Sequence, residues 1–270
     1  MNTPVSGRWR ITVVRPRLRA FTSIELLVVI AAVVMLAGIW LPALVRSRER
    51  DIRVVCMNNE KQLFTSLQMY CDDNGDRLPL LVGAGSWPFD IPIGVTGAIT
   101  NYGSVKKTFY CPSTAPRFTD LQNWAFANSL WNFGGTSFNT VGYTFAFAGS
   151  ASKIALQYQN QTLLTELHTN GPAVTVDSPG TREVIADVML SSASILPATG
   201  ADNFSAIFGG FTQNGVSYAH LSSHLGKGLV PAGGNNAFKD GHVQWRKFDA
   251  SNASSPTKVR TGGSTPYFWY

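Results

Sequence analysis

Charge is what this chain of 270 residues has little of: Asp, Glu, Lys and Arg make up 14% of it, where an average soluble domain carries about a quarter. Acid is absent altogether from the first twenty residues, in which Arg8, Arg10, Arg15, Arg17 and Arg19 stand unopposed. With those five set aside, 17 basic residues face 16 acidic ones, so the formal net charge of +6 belongs to the N-terminus and the remainder is close to neutral. That removes the basic-face argument for DNA or RNA, and no nucleic-acid partner is expected. Cysteine is scarce too, and three in 270 residues do not make a small disulfide-stapled scaffold.

Several chemical signatures are also missing. There is no Gly-x-Ser-x-Gly elbow to present a serine nucleophile. Gly226-Lys227-Gly228 lacks the upstream glycine and the following hydroxyl of a phosphate loop. His220-Leu-Ser-Ser-His224 places two imidazoles four apart, but the hydrolytic Glu of a zinc helix is absent and the surroundings do not read as helix. Asp72-Asp73-Asn74-Gly75-Asp76 begins as a calcium loop does, yet Arg77 stands where that loop needs Gly and no Glu follows at the required distance. The expectation is a protein that is not an enzyme and has no metal or cofactor. With 44% hydrophobic and 11% aromatic residues, the chain has the material for a real core and is not disordered as a whole.

What is present is an uncharged run of 20 residues, Leu26 to Val45. At about 1.5 Å per helical residue it would span roughly 30 Å, the hydrocarbon thickness of a bilayer. A secretory signal peptide has a shorter apolar region and a small-x-small cleavage site, whereas this run ends in Trp40-Leu41-Pro42-Ala43-Leu44. The denser and unopposed basic flank precedes the run, so the residues before Phe21 are expected in the cytoplasm and those after Val45 outside. Glu25 sits at the lip of the apolar run, where a carboxylate is costly without a cation nearby. Cleavage before Phe21 would supply one, as a free ammonium about one helical turn away.

Ala20-Phe21-Thr22-Ser23-Ile24-Glu25-Leu26-Leu27-Val28-Val29-Ile30, followed by Pro42, resembles the type IV prepilin signature shared by type IV pilins and type II secretion pseudopilins. The resemblance implies that a membrane-embedded prepilin peptidase cuts between Ala20 and Phe21 and methylates the new amino group. It implies further that Glu25 registers one subunit against the next during assembly and that Pro42 is the family's helix-kinking proline. Ala20 departs from the glycine commonest at the cleavage position. Cys56-Met-Asn-Asn-Glu60-Lys-Gln-Leu63, then Met69 to Gly75, then Arg77-Leu-Pro79, is also similar to a large bacterial group of prepilin-type proteins that carry a C-terminal His, about nine residues, then Asp-Gly. The counterpart here runs through His224, Gly234, Asn236, Phe238, Asp240 and Gly241, with 15 residues instead of nine between His224 and Asp240.

Beyond Val45 the helical pattern continues in polar form. Ile52, Val55, Cys56, Asn59, Leu63, Leu67 and Tyr70 recur every three or four residues, which gives one apolar stripe ending at the Gly75 stop. One helix is therefore expected from Phe21 to about Asp72. From about Leu78 onward Gly, Ser, Thr, Asn and aromatics dominate, and strands are expected at Thr108 to Tyr110, Val141 to Phe147, Lys153 to Gln159, Glu183 to Met189 and Gly215 to Ala219. Leu163 to Leu167 suits a strand or a short helix, and Pro266 to Tyr270 a last strand. Asp240-Gly241, flanked by Phe238, Val243 and Trp245, is a hairpin turn. The expected fold is α+β, a long N-terminal helix with a membrane half and an amphipathic half on a β-rich, mainly antiparallel, pilin-like head. The divisions are a basic leader at 1–20, an assembly helix at 21–45, its amphipathic extension at 46–74 and the head at 75–270. Cys56 and Cys71 lie about 22 Å apart on that helix and cannot bridge, so Cys111 is expected to pair with Cys71 or Cys56.

The function these readings imply is a non-enzymatic pilin-like subunit with the prepilin peptidase, other pilin or pseudopilin subunits and the cytoplasmic membrane as partners. The alternative is a monomeric anchored module whose head captures glycan or polymer on Trp and Tyr faces.

Overall fold

The structure is a computed structural model that describes residues 22–83, 85, 87–115, 117–149, 154, 156–170, 173–192, 202–248, 258–259 and 267–269, with the side chains of 39–47, 169–170, 173, 202–203, 208–209, 227, 258–259 and 267–269 outside the description. The cleavage positions Ala20 and Phe21 lie outside it, and Pro42 falls within a helix without a described side chain. Two compact units divide the chain, Met1–Ser47 and Arg48–Tyr270.

Helix α1 runs Ser23–Asp73. Its start is a capping box: the Thr22 backbone N–H and hydroxyl both donate to Glu25 Oε2 at 2.8 Å, and the Glu25 N–H donates back to Thr22 Oγ1 at 3.3 Å. Ile24, Leu26, Leu27, Val28, Val29, Ile30, Val33, Val34, Met35 and Leu36 are each more than half exposed and cover every side of this segment. No helix among the described residues is long and apolar enough to cross a membrane, and the run of Leu26 to Val45 includes side chains outside the description.

From Arg48 onward the helix buries one face, formed by Cys56, Glu60, Leu63, Phe64, Leu67 and Cys71. This is the expected stripe with two differences. Val55 points out and is exposed, and the acidic Glu60 takes an interior place between Cys56 and Phe64. The helix stops where the turn chemistry requires, with Gly75 and Asp76 both at positive φ and the Asp76 N–H bonded to the Cys71 carbonyl.

The rest is mixed helix and antiparallel sheet, an α+β arrangement. The strands are β1 Asp90–Pro92, β2 Phe138–Thr140, β3 Tyr143–Phe145, β4 Leu167–Asn170, β5 Ala173–Val176, β6 Glu183–Asp187, β7 Met189–Ser191, β8 Ile207–Gln213, β9 Val216–His220, β10 Gly233–Phe238, β11 Val243–Lys247, β12 Lys258–Val259 and β13 Tyr267–Trp269. Helix α2 covers Ile93–Asn101. The main sheet has the order β11-β10-β6-β3, and every pairing of named strands is antiparallel. Strand β6 is central because Val184, Ile185 and Ala186 are buried with neighbours on both sides, while β13 pairs with β7 as a last strand. Leu63, Leu67, Phe109, Tyr143, Phe145 and Ile185 meet in the common core.

Two expected strands are 3-10 turns instead. Lys106–Phe109 and Leu156–Tyr158 close on themselves through Thr108 N–H to Val105 O and Gln159 N–H to Leu156 O. In the first, burying Phe109 beneath the sheet outweighs the extended preference of the sequence. The Asp240-Gly241 hairpin forms as expected between β10 and β11. Gly241 does more than turn the chain at φ +83: a Cβ there would fall 2.6 Å from the Phe64 ring, so the missing side chain lets the hairpin rest on α1. Lys61 Nζ donates to the Gly241 carbonyl and ties the same two elements.

Candidate functional site

Four segments of the chain each deliver a polar or sulfur-bearing side chain to one point. Cys56 comes from the buried face of α1 and Cys111 from the segment before β2, and the two form a disulfide with 5.3 Å between Cα atoms. Cys111 thus pairs with Cys56, not Cys71. Cys71 remains a free buried thiol, and burial pushes its pKa up to about 12. Asp187 closes β6, opposite Tyr143 of β3. His224, four residues past β9, sits at φ +52, a left-handed backbone that costs a histidine energy and is held by its contacts.

The imidazole of His224 is locked at both nitrogens. Nε2 faces Asp187 Oδ2 at 3.2 Å and Cys111 Sγ at 3.4 Å, and Nδ1 faces Glu49 Oε1 at 3.3 Å. The ring packs edge-on against Trp245, whose other contact is the Arg53 guanidinium 4.0 Å from the ring centroid. Arg53 in turn pairs with Glu49 at 3.1 Å. Burial pulls the His224 pKa down, but hydrogen bonds to Asp187 and Glu49 and their charges overcome it and raise it to about 9. The same His224 bond, working against burial, holds the Glu49 carboxyl below its usual range.

Asp187 Oδ2 also accepts from Asn235 N–H at 2.8 Å and Asn235 Nδ2 at 3.0 Å, while Asp187 Oδ1 is buried without a hydrogen-bond partner. Strand β10 reads Gly-Gly-Asn-Asn-Ala-Phe, a poor strand former by propensity. Its pairing is set by these Asn235 bonds and by the missing side chain of Gly234, where a Cβ would lie 3.1 Å from Asp187 Cβ. Beside Asp187 lies Glu60, fully buried, with neither carboxyl oxygen in a well-formed hydrogen bond. Burial first and the Asp187 charge second push its pKa well up.

The donor atoms of Cys56, Cys111, Asp187 and His224 all lie within 4.8 Å of one another, and all four residues are buried. That set has the chemistry of a metal's ligands or of a thiol perturbed by an imidazole. It is closed to diffusing substrate. Sequence reasoning named Cys56, Cys111 and His224 but missed Asp187, Glu49 and Glu60. Glu60 was legible, since it stands four residues after Cys56 and three before Leu63 in the apolar stripe.

A second buried cluster joins Glu166, His168, Asp177 and Lys239. Lys239 Nζ reaches Glu166 Oε1 at 2.7 Å and Asp177 Oδ2 at 2.6 Å, and His168 Nε2 lies 3.1 Å from Asp177 Oδ2. Arg182 donates to His168 Nδ1 at 3.2 Å. Here the lysine occupies the place a cation would take.

Other expected sites are placed more simply. His220 ends β9 against Trp87 and Phe89, on a different path from His224, so the two do not form a ligand pair. Asp73 accepts from the Tyr102 hydroxyl at 2.7 Å and Asp76 from the Leu164 N–H at 3.1 Å, so the acidic turn after α1 is a structural stop. Asp240 caps its own hairpin by accepting from the His242 N–H at 3.1 Å. Of the Trp side chains that are described, Trp87, Trp124, Trp131 and Trp245, none is in the exposed class. Compared with family models, curated proteins and solved structures, the chain finds no match.

Proposed function

We propose that the protein is a pilin-like structural subunit, processed before Phe21 and assembled through α1 into a type IV pilus or a type II secretion pseudopilus. The observation that carries this reading is the first part of α1. From Ile24 to Leu36 it is helical and apolar on every side, with its large side chains in contact with no other part of the described chain sufficient to cover them. A surface of that kind needs lipid or other helices around it. The basic leader, the prepilin-like residues Ala20 to Ile30 and the α+β unit that follows fit the same reading. The glycan-module alternative is less favoured, because the described Trp faces are taken up by the protein's own packing.

The capping box at Glu25 gives the reading a sharp test. A glutamine at the third helical position also completes a capping box, so Glu25→Gln removes the charge and keeps the cap. In the subunit reading this variant is inserted and folded but fails to assemble. A simple anchor is indifferent to it. The decisive first measurement is intact mass with N-terminal sequencing on protein from native membranes. A chain that begins at Phe21 with one added methyl is the expected result, and a chain that retains Met1 and the five arginines rejects the reading.

A further inference from the structure

We propose that Cys56, Cys111, His224 and Asp187 form a zinc site in the thiol form of the protein, which the Cys56–Cys111 disulfide replaces on oxidation. This goes beyond the filament reading and does not depend on it.

A disulfide is neutral and weakly polar, so it requires neither an imidazole nor a carboxylate beside it. Burying both is costly unless they are fully paired, and their mutual contact leaves Asp187 Oδ1 without a partner. Here His224 and Asp187 are turned toward the sulfurs, and the geometry of the four suits a small tetrahedral ion. Zinc takes thiolate at about 2.3 Å and imidazole or carboxylate at about 2.0 to 2.2 Å, so the edges of its tetrahedron are about 3.3 to 3.8 Å. His224 Nε2 lies 3.4 Å from Cys111 Sγ and 3.2 Å from Asp187 Oδ2, close to two of those edges. Once the S–S bond is broken, side-chain rotation lets the two sulfurs part to a third edge.

Two independent observations point to a ligand. The nitrogen of His224 that does not face the sulfurs is held by the Glu49 carboxylate at 3.3 Å. A carboxylate that orients a histidine in this way is the usual outer partner of a zinc-bound imidazole. Asp187 Oδ1, fully buried, has no partner in the disulfide form, although such oxygens are nearly always satisfied. A cation bound by the Asp187 carboxylate would offset the cost of that unpaired oxygen. The contrast with Lys239, which closes the second carboxylate cluster from within, underlines that no lysine or arginine forms an ion pair with Asp187 among the described residues.

The redox balance is simple. The disulfide accepts two electrons, the S–S bond breaks, and zinc takes the two thiolates that result. With a phosphine as reductant, phosphorus gains the oxygen of one water, and as the ion binds two protons leave the thiols and a third leaves His224 Nε2. Oxidation by a disulfide or quinone oxidant reverses the exchange and releases zinc. The two forms exclude each other because they use the same sulfur atoms.

The test uses the full chain in detergent, reduced with a water-soluble phosphine, freed of metal and titrated with cobalt and then zinc. One cobalt per chain is expected, with the visible bands of a tetrahedral ion and a near-ultraviolet thiolate-to-cobalt band, both abolished by one equivalent of zinc. The oxidised chain and the reduced Cys56→Ser and His224→Ala variants should bind at least about 100-fold more weakly. Glu49→Gln should cost about 10-fold, as loss of an outer partner does. Cys71→Ser should bind as the parent does, which excludes the free thiol as a ligand. A reduced parent with an unchanged far-ultraviolet spectrum but no thiolate-to-cobalt band overturns the proposal. Cobalt uptake that persists in the oxidised chain or in Cys56→Ser overturns it equally. The parent spectrum decides the matter even if a variant does not fold.

Discussion

Glu60 and Asp177 are both buried carboxyl groups, and their acidities move in opposite directions. Burial pushes Glu60 well up, and the neighbouring Asp187 charge adds to it. Burial also works to raise Asp177, but Lys239, the Glu166 N–H and His168 together hold it below its usual range. Lys239 Nζ lies 2.6 Å from Asp177 Oδ2, whereas no lysine or arginine forms an ion pair with Glu60 among the described residues. In a low-dielectric interior a carboxyl group either recruits a positive partner and stays ionised or keeps its proton. The Lys239 cluster is thus closed electrostatically by its own chain, whereas the Cys56 cluster holds an orphaned Asp187 oxygen and a locked histidine beside the buried Glu60.

The largest effect should come from taking the lysine away. Lys239→Met leaves Glu166 and Asp177 facing each other without an ammonium, and a broken buried pair of this kind costs about 3 to 5 kcal/mol. Equilibrium urea unfolding measures it. A loss below about 1 kcal/mol would mean that Arg182, His168 and water suffice, and the contrast between the clusters would collapse.

Removing the disulfide should cost somewhat less. Cys56 and Cys111 are 55 apart in sequence and join α1 to the segment that leads into the sheet. Closing a loop of that size stabilises by about 2 to 4 kcal/mol. The comparison of oxidised chain with reduced chain in chelator isolates this value. Restoring part of it with zinc would tie the stability of the Cys56 cluster to a cation, as Lys239 ties that of the Asp177 cluster.

Acid offers a smaller, graded effect. Because the Asp177 pKa in the folded protein is lowered, its contribution is fully present above the unfolded value near about 4 and is lost as pH falls through the folded value, at up to about 1.4 kcal/mol per pH unit. The unfolding midpoint of the parent should therefore drop more steeply below about pH 4 than that of Lys239→Met, in which Asp177 has lost its reason to ionise. Parallel curves would remove Asp177 from the account.

How much of this was legible in the sequence differs by element. The long helix, its Gly75 stop, the Asp240-Gly241 hairpin and the strand at Tyr267–Trp269 all carry local signals, namely apolar period, turn residues and aromatic runs, and the structure has them. Lys106–Phe109 and Leu156–Tyr158 read as strands because their residues suit strands, but a strand also needs a free edge to pair with, which is not local information. The site was half legible. His224 and the cysteines stood out by type, while Asp187 looked like the end of one more strand, and only the register opposite Tyr143 places it beside His224. The Thr22–Glu25 capping box follows the S/T-x-x-E spacing and is legible from that spacing alone.

The smallest effect is the most discriminating. Burial raises the Glu60 pKa, and for a neutral acid Glu60→Gln replaces one uncharged hydrogen-bonding group with another of nearly the same size. Its cost should be within about 1 kcal/mol, as for volume-conserving interior changes. Stabilisation is as acceptable as slight loss, because the variant never has to suppress an ionisation. The same exchange at Glu166 or Asp177 cannot be neutral, since each is bonded to Lys239 as a carboxylate. Urea midpoints at neutral pH for Glu60→Gln, Glu166→Gln and Asp177→Asn should therefore separate the first from the other two. If Glu60→Gln falls with them, Glu60 is ionised and paired in solution, and the cation missing from its surroundings has to be found.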